Sequence, residues 1–209
     1  MSALLVTKSK VQINPFGIIV LMNQMQDNQE VEIVKAAPDD SEIICDIRDR
    51  AWIEAYPNAE LGITARDIEI NAKGLNGEFV PKRIAWFKDK LTSNDESWIC
   101  FVVQTNNVTA GFVVASTEDD GRKFINSIYI EPDFQNKGLG KRLMQRALDW
   151  LGDDEDIYLE VLSYNQNAIN FYKSFGFEQT GTTVPEESNL PSFMKSLPQI
   201  EMMLKAVLK

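Results

Sequence analysis

The stretch Ile125–Trp150, INSIYIEPDFQNKGLGKRLMQRALDW, decides how this chain folds. Lys123–Ile130 is β-rich and reads as a strand. Pro132 and the polar residues after it predict a turn. Leu139, Leu143, Met144, Ala147, Leu148 and Leu151 then recur at helical spacing, and Gly152 supplies the stop. A strand, a glycine-bearing turn and a helix in that order form an anion site. The first N–H groups of a helix lack intrahelical partners, and the helix dipole adds partial positive charge there. Gly138 and Gly140 allow a phosphate to approach the backbone closely. Lys137, Lys141 and Arg142 concentrate positive charge in a chain with 21 basic and 31 acidic residues.

Two other phosphate motifs do not match. A Walker loop requires Ser or Thr after its lysine, and Lys141 is followed by Arg142. A dinucleotide fingerprint requires a third glycine, and that position is Leu143. A nucleotide site built on the same turn, and a merely structural turn, are the competing readings. Further along, Leu159-Glu160-Val161 lies in a strand over Ile157–Leu162. Asn165, Ala168, Phe171, Tyr172, Gly176 and Phe177 follow, with Ala168, Phe171, Tyr172 and Phe175 at helical spacing.

Together these segments resemble the GNAT (Gcn5-related N-acetyltransferase) superfamily. Gln135-Asn136-Lys137-Gly138-Leu139-Gly140 is similar to its Q/R-x-x-G-x-G/A motif, and Asn165 through Gly176 is similar to its second motif. The resemblance spans about Val31 to Val207. It implies a mixed central α/β sheet flanked by helices, the acyl-CoA N-acyltransferase fold. It also implies acetyl-CoA as co-substrate, no metal, and transfer of the acetyl group to a primary amine by direct attack. The amides of Gln135 to Lys141 would hold the CoA pyrophosphate. Ile128, Tyr129 and Ile130 would pair through their backbone with the pantetheine arm. Asn165 would bond that arm, and Tyr172 would stand near the sulfur as general acid. CoA would enter where Lys123–Ile130 and Ile157–Leu162 splay apart. A non-catalytic CoA-binding module is the alternative.

The chain has no histidine, which removes Ser-His and Cys-His machinery and the common zinc sites. No carboxylate lies within Lys123–Ile130, so the general base stays unassigned. Glu118, Asp119, Asp120, Glu160, and water relayed through Asn126 or Ser127, all remain open. Trp52 and Tyr56 read as either acceptor-pocket walls or core. The net charge of −10 disfavours nucleic acid and anionic membrane and favours a cationic acceptor, either a small amine or a peptide. Cys45 and Cys100 each sit among apolar residues and read as buried thiols in a reducing, cytoplasmic setting.

Upstream, Val31–Ala36 is expected as a strand and Ser41 to Tyr56 as a helix. Thr64 and Asp67 read as a capping box. A helix over Lys82–Leu91 and strands over Trp98–Gln104 and Val108–Ser116 follow. Thr183–Leu197 reads as a loop and Ile200–Val207 as a last strand. Residues 1–30 form an extension of unknown role before a domain at 31–209. Met22 and Met25 are alternative starts, and an added strand or an arm joining a homodimer are the other readings. Phe16–Met22 lacks the following cleavage site of a secretory signal.

Overall fold

The computed structural model describes residues 10–13, 19–22, 30–183 and 198–207. Its internal contacts divide the chain into two units, Met1–Glu30 and Val31–Lys209. In the first unit, β1 (Lys10–Ile13) and β2 (Ile19–Met22) pair antiparallel as a sheet of their own, Lys10 opposite Met22.

The second unit is a seven-stranded mixed sheet. Its strands are β3 (Val31–Lys35), β4 (Trp98–Thr105), β5 (Val108–Thr117), β6 (Lys123–Ile130), β7 (Ile157–Leu162), β8 (Glu178–Thr183) and β9 (Gln199–Leu204). They lie in the order β3-β4-β5-β6-β7-β9-β8, and β6–β7 is the parallel pair. The helices are α1 (Ser41–Ala55), α2 (Ala65–Lys73), α3 (Val80–Thr92), α4 (Leu139–Leu151) and α5 (Gln166–Lys173).

Local chemistry explains the boundaries. Thr64 Oγ1 accepts from Asp67 N at 3.1 Å, and Thr64 N donates to Asp67 Oδ2 at 2.9 Å, which closes the expected capping box. Helix α3 begins before the expected Lys82 because Pro81 falls in its first turn, where a missing N–H is harmless. Helix α5 ends at Lys173, and Gly176 (φ 92°) then turns the chain. Strand β9 is shorter than expected. Past Leu204 the chain leaves the sheet, where Ala206 N donates to Asp156 Oδ1 at 2.8 Å and Val207 N to Asp153 O at 3.0 Å. Apart from Thr183, which ends β8, the expected loop lies outside the described residues.

Each face of the sheet has its own core. Leu143, Met144 and Ala147 of α4 pack with Val113, Leu159 and Met202 on one face. On the other, Ile44 and Ile47 of α1 and Phe87 of α3 pack with Val102 and Phe112. Trp52, Ile63, Ile68 and Leu162 form a third cluster. Cys45 and Cys100 are buried free thiols. No helix among the described residues is long and apolar enough to cross a membrane.

Candidate active site

Strands β6 and β7 pair only at Lys123–Ile157 and Phe124–Tyr158. Beyond that they separate. Opposite β5 the register of β6 shifts, with Ser127 facing Val114 and Ile125 facing Ala115, so Asn126 is an extra, bulged residue. A bulge bends its strand and increases the local twist. At the closed end, the mostly buried Lys123 ammonium bonds Asp154 Oδ1. The gap opens into a cleft of about 1450 Å³ lined by both strands, the start of α4, α5 and the end of α1.

The β6 edge facing this gap is unpaired from Ile125 onward, so its backbone groups are open to a ligand. At the far end of β6 lies the glycine turn. Asn136 (φ 60°) and Gly138 (φ 79°) are both left-handed, which aims successive N–H groups into one concavity. Gln135 N bonds Pro132 O and Arg142 N bonds Gly138 O. Among the described residues, no backbone carbonyl accepts from the N–H groups between them. A Cβ on Gly138 would meet nothing within 4 Å, so the space beside the turn is open. These features suit an extended ligand with a diphosphate at one end.

Of the residues read from sequence, Ile128, Tyr129, Ile130, Gln135, Asn136, Gly138, Leu139, Gly140, Lys141, Asn165 and Tyr172 all line the cleft. Lys137 does not; its ammonium lies 5.0 Å from the centre of the Phe134 ring. Gln135 turns its side chain back, with Nε2 donating to Ile130 O at 3.3 Å, and so ties the turn to the strand end. Asn165 caps α5, where Oδ1 accepts from Ala168 N at 3.2 Å. That leaves its Nδ2 side to meet a ligand.

Tyr172 projects from α5 against Phe171 and Phe177, with ring centres 5.5 and 6.1 Å away. Burial, then the neighbouring Tyr129, pushes its phenol well above the ordinary range. Across the gap, Trp52 Nε1 donates to Tyr129 Oη at 2.7 Å, and Tyr56 Oη lies 3.2 Å from Tyr129 Oη. Tyr164 Oη donates to Tyr56 O at 3.2 Å. Burial, then Tyr129, also raises Tyr56. Trp52 and Tyr56 have two settings in the structure. They pack in the third hydrophobic cluster, and they also form a wall of the cleft.

An ion network unmarked by the sequence reading holds that wall in place. Asp49 of α1 meets Arg83 of α3 at 2.6 Å and Arg48 at 3.2 Å. Arg83 Nη1 donates to Ala72 O of α2 at 2.6 Å, and Arg48 stacks 3.7 Å from the centre of the Trp52 ring. The signal was available: Asp49 falls on the apolar face of α1, four residues after Cys45 and three before Trp52. Two of the three candidate bases in the β5–β6 turn are engaged by near neighbours in the chain. Asp120 accepts from Arg122 Nε at 2.7 Å, and Glu118 accepts from Ser116 Oγ at 2.8 Å.

Residues 65–177, more than half of the chain, match the sequence model of the acetyltransferase (GNAT) family. The chain belongs to this family. Among GNAT relatives it is 29% identical to the peptidyl-lysine N-acetyltransferase YiaC of Escherichia coli, over 54% of this chain and 71% of that protein. It is 31% identical to the [ribosomal protein bS18]-alanine N-acetyltransferase of the same species, over 45% of this chain and 65% of that protein. The structure of YncA from Salmonella typhimurium, described with its cofactor acetyl-CoA, superposes with a TM-score of 0.59 at 21% identity. That superposition covers 86% of this chain and 95% of the other. The fold is that of the GNAT acyl-CoA N-acyltransferases, as the motifs implied.

Proposed function

We propose that the protein transfers an acetyl group from acetyl-CoA to the primary amine of a small cationic molecule or a peptide. One observation carries this reading. The unpaired edge of β6 runs from the free amides at the start of α4 along a cleft that Tyr172 helps to line. A diphosphate would sit at the turn from Gln135 to Lys141, and an extended arm would lie along Ile128–Ile130 and Asn165. When bound, acetyl-CoA supplies an activated acyl group.

The protein's own contribution is to orient, desolvate and move protons. Tyr172 carries its proton at neutral pH as any phenol does, and burial raises its pKa further. Oη can donate a hydrogen bond, and with it the proton, to a thiolate departing into the same cleft, although burial makes the phenol a weaker acid than a free one. Tyr56 is raised in the same way and is no base at neutral pH. With no side chain assigned as base, the amine's proton is taken as lost to water, so that the fraction already neutral sets the rate. Near pH 7 that is about one in 10³ for a lysine-like amine of pKa ~10.4.

A specific pH profile follows. With acetyl-CoA saturating, kcat/KM for the amine should rise about tenfold per pH unit below the amine's own pKa. It should not turn down before about pH 10, because Tyr172 is still protonated there. A descending limb between about pH 8 and 9.5 would remove Tyr172 as the acid. The reading of a CoA-binding module without turnover draws on the lack of a carboxylate within β6. It predicts CoA binding with no acetylated product from any amine.

A further inference from the structure

Gln199 opens β9, lines the cleft and is only 5% exposed. Its Nε2 has no hydrogen-bond partner among the described residues. A buried amide donor without an acceptor is costly and uncommon in a folded protein, so an acceptor brought by a ligand into the cleft that Gln199 lines would satisfy it.

The strand register fixes which half of the cleft Gln199 serves. Ile200 and Met202 belong to the core beneath α4 and α5, so alternation turns Gln199 to the opposite face. There it stands across from Leu162, which packs in the cluster of Trp52 and Ile68. This is the half walled by Trp52, Tyr56 and Tyr129, away from the glycine turn. Glu160 shares that face of β7, opposite Glu201, and also lines the cleft.

An ammonium has only donors, and a neutral amine that accepted from Nε2 would tie up the lone pair it needs for attack, whereas a carbonyl oxygen can accept freely. We infer that Gln199 is a specificity-determining residue that donates to a carbonyl oxygen of the acceptor. The acceptor class is then an aminoacyl or peptide amine, not a simple alkyl polyamine. This rests on the acetyl-transfer reading above.

The test compares acetylation of short peptide amides, with a free N-terminus or with one lysine, against α,ω-diamines lacking a carbonyl. The readout is the ratio of the two kcat/KM values, in which differences of amine basicity cancel between variants. The wild type should prefer the peptides. Gln199→Leu should lower the ratio about tenfold, carried by KM for the peptide. Gln199→Met, a flexible apolar substitute of similar length, should do the same if Leu disturbs folding. Acetyl-CoA affinity reports that the other half of the cleft is intact. A wild type that prefers diamines, or a ratio unchanged in both variants, overturns the assignment. If no amine is acetylated, the acetyl-transfer reading has failed. Peptide affinity of the CoA-loaded protein then decides Gln199 separately: loss in both variants supports it, and equal affinity overturns it.

Discussion

Tyr172→Phe is expected to lower kcat by about 10²–10⁴-fold, the usual range for a lost acid or base, with acetyl-CoA affinity nearly unchanged. The substitution deletes one hydroxyl and keeps the ring. Packing against Phe171 and Phe177 therefore persists, and α5 keeps its place. What disappears is a phenolic proton, bound more firmly because of burial, on a side chain that helps to line the cleft. Steady-state kinetics paired with acetyl-CoA titration separates the two effects. Unchanged turnover takes Tyr172 out of the chemistry and leaves it as a packing residue. Equal losses of affinity and rate place it in binding instead.

Asp49→Ala should destabilise the fold by about 3–5 kcal/mol, because it leaves the arginine partners of a buried ion pair uncompensated. Asp49 is 3% exposed and faces Arg83 at 2.6 Å. Burial raises its carboxyl pKa, while Arg83 and then Arg48 pull it down. Arg83 also binds the last turn of α2, so one carboxylate links three helices. Helix α1 carries Trp52 and Tyr56 into the cleft, and loosening it should also raise KM for the amine. Urea unfolding measures the first effect and amine kinetics the second. A loss below about 1 kcal/mol would class the network with ordinary surface pairs.

What the sequence disclosed followed from local physics. The α4 stripe, the Thr64 capping box and the Gly138 turn are set within a few residues, and each appears where its pattern predicts. The splay of β6 from β7 was legible through the resemblance, but its cause was not. The bulge at Asn126 depends on how β6 registers against β5, a nonlocal pairing that no window of residues encodes. Gln199 was missed for a similar reason. A polar residue ahead of an apolar strand looks like loop surface until β7 and β9 pair and bury it. Lys137 divides in two: its ammonium rests by Phe134, while its backbone N–H stays among the open amides of the turn.

The most direct test is calorimetric titration of the protein with acetyl-CoA, with ATP and NAD as controls and with Gly138→Val and Gly140→Ala in parallel. Gly138 has a positive φ of 79°, which a branched side chain resists, so its turn should deform. A Cβ on Gly140 would meet Phe171 Cε2 at 3.5 Å, an ordinary contact, so alanine should be accepted. The account predicts saturable binding of one acetyl-CoA per chain, none of ATP or NAD, retention in Gly140→Ala and loss in Gly138→Val. Absence of acetyl-CoA binding at about millimolar ligand, an affinity weaker than roughly −4 kcal/mol, would contradict it and reduce the glycine turn to a structural corner.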